Sequence, residues 1–297
     1  MRVVIILTGI VAGWLFAHRK KSTSKLAEFH GRRVHDFLHS YFYFKWTSVY
    51  LKPIRYVLER PGIFPQWFYQ GAGNRLMHTH HGKVVTNETA KRLIDVKQPI
   101  ELTNPEQVLP YKKARDIILA NAEHLAVIDC PCRQIAENPC QPIDVCFVLG
   151  EPFVDFVIEH KKGNAKRLNV TQALEILERE HKRGRVHTAW FKDVAGDRLY
   201  SICNCCGCCC LGLKAVSYGF DLVSSSGFTA HIDDAQCMHC GVCAGVCHFG
   251  AIEVDESVNI NADACRGCGV CVNACPTEAV SLKEDSAKPG PIILPRE

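Results

Sequence analysis

Residues 237–254 read CMHCGVCAGVCHFGAIEV, and residues 265–282 read CRGCGVCVNACPTEAVSL. Each copy spaces its cysteines C-x2-C-x2-C-x3-C, and each run is followed by a short alternating stretch, Phe249-Gly-Ala-Ile-Glu-Val and Thr277-Glu-Ala-Val-Ser-Leu. Soft thiolates at such spacing converge on a compact metal core. The short C-x2-C steps wrap the chain closely round it, where Gly241 and Gly269 relieve crowding. Zinc sites usually join two C-x2-C elements through a longer spacer, so two matched runs of four argue against zinc here, and structural disulfides fit them less well still.

Over roughly residues 229–285 the chain resembles the two-[4Fe–4S] bacterial-type ferredoxins. In that pattern three thiolates of one run grip a cubane and the fourth reaches across to the other. The resemblance implies that Cys237, Cys240, Cys243 and Cys275 hold the first [4Fe–4S] cluster, and that Cys265, Cys268, Cys271 and Cys247 hold the second. One departure stands out: the second run ends Cys275-Pro276, as in the family, but the first ends Cys247-His248. An exposed histidine without a role is the plainer expectation for His248; a hydrogen bond that shifts a cluster potential is the other.

A chain of 297 residues has room for a core and a second small domain. Hydrophobic residues make up 47%, which fits a globular protein with some membrane contact, and the net charge of +4 gives no sign of nucleic-acid binding. The 18 cysteines are the anomaly. Disulfide scaffolds are usually short and secreted, whereas this chain is long and groups its cysteines at metal-ligand spacings. Thiolates of this kind need a reducing compartment during cluster assembly, which places the cysteine-bearing part in the cytoplasm.

Residues 3–17, VVIILTGIVAGWLFA, are apolar and uncharged, and His18-Arg19-Lys20-Lys21 follows. The stretch falls a little short of a span of about 20 residues, but the positive flank favours an uncleaved single-pass anchor in the cell membrane, with the soluble domains facing the cytoplasm. Residues 22–70 mix aromatic and basic side chains, suited either to a helix at the headgroup level or to packing against the cysteine domains. Pro61, Gly62, Pro65 and Gly71-Ala-Gly73 mark a linker. His78, His80 and His81 read as a polar turn rather than a metal or haem site. Helices are expected at 86–96, from Pro110, and at 152–162 and 171–183; strands are expected at 125–128, 185–191 and 198–203.

The expected organisation is a membrane anchor at 1–21 and a basic, aromatic juxtamembrane segment and linker at 22–82. A cysteine-rich α/β domain follows at 83–228, then the two-[4Fe–4S] domain at 229–285 and a tail at 286–297. The fold class is α+β with an N-terminal membrane helix, an α/β middle domain and a C-terminal ferredoxin-like domain.

The middle domain carries Cys130, Cys132, Cys140 and Cys146, and then Cys203, Cys205, Cys206, Cys208 and Cys209 in a run that ends at Cys210. A cubane takes four thiolates, so these cannot all surround one. Either a third iron–sulfur cluster takes Cys130 and Cys132 together with ligands from the 203–210 run, or Cys130, Cys132, Cys140 and Cys146 close one site and the run makes another. Zinc remains a rival ligand at these positions, and thiols this dense would oxidise if left free. Each group lies just beyond an expected strand, so neighbouring strands would bring both to one end of a sheet. Arg133 stands beside the site, either as a donor to sulfur or as an ordinary helix-start cation.

With its CPCR segment at 130–133 and ICNCCGCC at 202–209, the chain over about 83–283 resembles a group of ferredoxin-like proteins that join these segments to a C-terminal two-cluster domain. The three cysteines at 208–210 are more crowded than that motif. The resemblance implies an iron–sulfur electron carrier, and the N-terminal anchor lies outside it. Taken together, the residues lead us to expect a membrane-anchored protein that passes single electrons through two [4Fe–4S] clusters, with an additional iron–sulfur or zinc centre. It is expected to serve a redox partner protein rather than act as a stand-alone enzyme. The alternatives are a reductase whose upstream cluster is catalytic, and a cluster-assembly factor. No G-x-G-x-x-G after a strand and no P-loop occurs, so no nucleotide cofactor is expected on this chain.

Overall fold

Seven strands build the central sheet: β1 (His80–Val84), β2 (Leu125–Asp129), β3 (Asp144–Leu149), β4 (Ala165–Arg167), β5 (Val186–Lys192), β6 (Arg198–Cys205) and β7 (Val223–Ser224). The computed structural model describes residues 13, 20–60, 62, 79–96 and 124–294. Strand order is β4-β2-β3-β6-β5-β1-β7. All pairings are antiparallel except β1 with β7.

Alternation along the strands sorts the sheet into two apolar faces. On β2, Ala126 and Ile128 belong to one core, and Leu125 and Val127 to the other. The first face is covered by α1 (Lys21–His30), α2 (Val34–Lys45) and α3 (Thr47–Leu58). The second is covered by α4 (Asn87–Asp95), α7 (Val170–Lys182) and the C-terminal residues Ile292 and Leu294. Between these in the chain come α5 (Pro131–Gln134) and α6 (Phe153–His160), and α8 (Leu211–Ser217) follows β6. Both long helices of the second face begin on side-chain caps: Thr86 accepts from the Thr89 amide, and Asn169 forms a reciprocal capping box with Gln172. Each apolar side chain fully removed from water here contributes roughly 1.5–3 kcal/mol.

The expected N-terminal membrane helix is corrected: among the described residues no helix is long and apolar enough to cross a membrane, so a single-pass anchor is not supported. The apolar run at 3–17, apart from Gly13, lies outside the described residues, as do most of the linker at 61–73, His78 and the helix expected from Pro110. The aromatic segment that follows packs on the sheet. Phe44 stacks on Phe153 at 4.8 Å, and the buried hydroxyls of Tyr43 and Tyr200 lie 2.6 Å apart. β1 takes up His80 and His81 as strand residues, not as a turn.

In the C-terminal unit β8 (Phe228–Ile232) pairs with β11 (Val280–Glu284), and β9 (Ile252–Val254) with β10 (Val258–Ile260). The stretches after the two cysteine runs are strands, but they pair with β10 and β8 rather than with each other. Short helices α9 (Val242–Gly245) and α10 (Val270–Ala274) each start on a glycine in the left-handed region, Gly241 at φ 75° and Gly269 at φ 77°.

Candidate metal centres

The C-terminal cysteines fall into two small cavities. One is lined by Cys237, Cys240, Cys243 and Cys275 together with Pro276, the other by Cys247, Cys265, Cys268 and Cys271. Each cavity draws one thiol from the opposite run, because the antiparallel β8–β11 pair and the packing of α9 on α10 fold the two copies against one another. Backbone amides point at sulfur: Ala251 N to Cys247 Sγ at 3.3 Å, and Ala230 N to Cys265 Sγ at 3.5 Å. Burial pushes the Cys268 and Cys271 thiols up to about 12, a shift that a bound cationic core would oppose. The donor set fits iron–sulfur cubanes: four soft thiolates line each cavity, with backbone amides directed at sulfur.

Among the described residues, Cys140, Cys206, Cys208 and Cys209 have their sulfurs all within 4.8 Å of one another, and they are the only group this compact. A tetrahedral zinc tetrathiolate with Zn–S of about 2.3 Å sets its sulfurs roughly 3.8 Å apart. This cluster of thiols therefore suits a single ion better than a cubane. Burial raises the Cys140 thiol, but hydrogen bonds with Cys208, Cys206 and Cys209 and the charge of Arg185 bring it below the usual thiol range.

The remaining six thiols of the middle domain form a closed ring. Cys130 neighbours Cys132 and Cys146, Cys132 neighbours Cys210, Cys210 neighbours Cys205, Cys205 neighbours Cys203, and Cys203 returns to Cys146, each an electrostatic neighbour of the next. The Cys205–Cys210 sulfurs are 3.2 Å apart. Strand register explains the convergence: Cys146 on β3 faces Cys203 on β6, and Cys205, two residues on, shares the face of Cys203. Cys130 and Cys132 arrive from the end of β2, and Cys210 from the start of α8. The grouping brings Cys130 and Cys132 together with members of the 203–210 run, as in the first expected arrangement, and adds Cys146. Cys140 leaves Cys130, Cys132 and Cys146 to join the later run, and that run splits between the sites. Expected neighbours β2 and β6 are separated by β3, a strand not anticipated from the sequence. Cys210, the last cysteine of the 203–210 run, closes the ring.

Arg133 is 1% exposed and lies between the two sites, with Cys130, Cys146 and Cys206 as its charge neighbours. Its guanidinium donates to Pro142 O and to Asn204 O, and Nη2 pairs with the fully buried carboxylate of Glu180 at 3.5 Å. Nε has no partner. His248, expected to be idle, sits at the junction of the domains. Its Nε2 hydrogen-bonds Gly184 O at 2.8 Å, and its Nδ1 lies 2.8 Å from where a β-carbon on Gly207 would stand. The residue after Cys247 therefore touches the backbone between Cys206 and Cys208.

Residues 230–282 match the family model of the 4Fe-4S dicluster domain. The C-terminal segment is accordingly a ferredoxin-type iron–sulfur domain. A search of curated proteins finds no match to the chain.

Proposed function

We propose that the chain is an electron-transfer protein with two [4Fe–4S] clusters, one held by Cys237, Cys240, Cys243 and Cys275, the other by Cys247, Cys265, Cys268 and Cys271. The observation that carries this reading is the sorting of these eight thiols into two separate cavities, each completed by a cysteine from the opposite run. Cys140, Cys206, Cys208 and Cys209 hold a single ion, zinc or iron, that fixes the loop on which the ferredoxin domain docks. The clusters supply one-electron chemistry. The protein's share is burial, amide donors to sulfur, and the His248 contact that holds the second cluster site against the middle domain. A redox partner protein supplies the electrons.

One observation favours a reductase as the second reading. A cavity of about 360 Å³ lies over Cys130, Cys132, Cys146 and Cys203 and is also lined by Tyr43 and Tyr200. The Tyr200 hydroxyl is 3.4 Å from His80 Nε2, so proton donors stand beside the thiols.

The test is iron, sulfide and zinc content with low-temperature EPR of the dithionite-reduced full chain, prepared anaerobically. The reading expects at least about eight irons and EPR signals from two reduced cubanes. In Cys206→Ala/Cys208→Ala it expects loss of one zinc or iron with both cubane signals kept. Fewer than about eight irons, or no cubane signal on reduction, overturns it.

A further inference from the structure

We propose that the six-thiol ring of Cys130, Cys132, Cys146, Cys203, Cys205 and Cys210 holds one iron–sulfur cluster of more than four irons, with all six thiolates as ligands. The inference goes beyond the electron-carrier reading and does not depend on it.

Three observations carry it. First, the ring is closed, so every thiol has two thiol neighbours inside it. A cubane uses four, and any choice of four strands two further thiols against the same cluster. Second, the ring is wide. Among the described residues no three of its sulfurs approach one another as closely as the Cys140 group does, and a lone zinc ion needs that approach from four donors. All six cysteines line the same cavity of about 360 Å³, which is also lined by Leu51, Ile54 and Leu58 of α3.

Third, the surroundings supply donors that thiols alone do not use. Thr188 Oγ1 is 3.2 Å from Cys205 Sγ, and because it already accepts from Trp190 Nε1 its hydrogen is left for sulfur. The backbone amides of Arg133, Leu211 and Leu213 are directed at Cys130, Cys132 and Cys210. Arg133, itself buried, lines the cavity with its Nε unpartnered. A buried donor left open is costly, about 1–3 kcal/mol, unless something fills the cavity and accepts from it. Sulfide at the edge of a cluster is such an acceptor, and the guanidinium charge offsets part of the charge of six thiolates.

The experiment compares anaerobically isolated full-length protein with Cys132→Ala/Cys146→Ala, by iron and sulfide analysis and by native mass spectrometry. The inference expects the variant to lose more than about four irons, while the Cys140-site ion and the EPR of the C-terminal domain persist. Loss of about four irons marks an ordinary cubane, and loss of none marks free thiols, disulfides or another metal; either overturns it. Should the variant fail to fold, the wild-type mass decides with its zinc content: about four irons or fewer beyond those of the C-terminal domain and any iron at the Cys140 site contradicts a cluster larger than a cubane in the ring. Failure of the electron-carrier reading is distinguishable, because it removes the C-terminal irons from both proteins and leaves the difference between them unchanged.

Discussion

Replacing Glu180 by alanine removes the carboxylate on which a buried cation depends. Glu180 is fully buried and stands within 4.0 Å of four arginines: Arg183 at 2.7 Å, Arg133 at 3.5 Å, Arg179 at 3.6 Å and Arg185 at 4.0 Å. The four do not count equally. Arg179 and Arg183 have nearly half of their side chains exposed, so they regain water when the carboxylate goes, and each contributes at most about 1 kcal/mol. Arg133 is 1% exposed and cannot do so. Breaking a buried pair by deleting one partner costs about 3–5 kcal/mol, because the remaining charge stays desolvated. For a chain of this size that lowers the thermal midpoint by roughly 10 °C. The assay is anaerobic thermal unfolding followed by circular dichroism, with Arg183→Ala as control; the control is expected to change stability by less than about 1 kcal/mol. A Glu180→Ala midpoint within about 2 °C of wild type refutes the reasoning, since the neighbouring Cys206, Cys130 and Cys146 would then suffice as counter-charges for Arg133.

Gly207→Ala places a β-carbon 2.8 Å from His248 Nδ1. The ring must move and give up its bond to Gly184 O, at about 1–2 kcal/mol, and proteolysis between residues 218 and 230 is expected to quicken; an unchanged rate contradicts docking through this contact. Gly267 has φ +61°, and a β-carbon there would lie 2.2 Å from Phe228 O. Gly267→Ala is therefore expected to destabilise the C-terminal domain by more than about 2 kcal/mol and to lower its iron content, read against the same protein's zinc. His30 and His160 are both held down to about 4, by burial first. Their folded values lie below the unfolded one, so the unfolded chain takes up protons first as pH falls. Stability is then complete above about pH 6.5 and is lost between there and pH 4, by about 2 kcal/mol or more. Urea midpoints across that range test this, and His30→Phe should flatten the slope.

The C-terminal iron–sulfur domain was legible because its cysteines follow local spacing: C-x2-C steps keep three thiols together wherever the chain runs. The α4 and α7 helices were legible for a similar reason, their caps at Thr86 and Asn169 lying within three residues of the groups they satisfy. The partition of the upstream cysteines was hidden. It depends on β3 intervening between β2 and β6, and on the Cys146–Cys203 register, neither of which leaves a mark in spacing. Adjacent residues on a strand point to opposite faces, which is the one signal that Cys205 and Cys206 should part company. His248 was read as idle because its partners, Gly184 and Gly207, are distant in sequence and offer only backbone. The apolar residues 3–17 suggested a membrane helix by composition alone, and among the described residues no helix supports it.

The central claim is that eight thiols sort into two clusters across the two runs. EPR-monitored redox titration of Cys240→Ala and Cys268→Ala tests it most directly. Cys240→Ala is expected to alter only one cubane signal, and Cys268→Ala only the other, with the magnetic coupling between them lost in both. If the two substitutions alter the same signal, or if neither alters any, the assignment of the two centres is wrong.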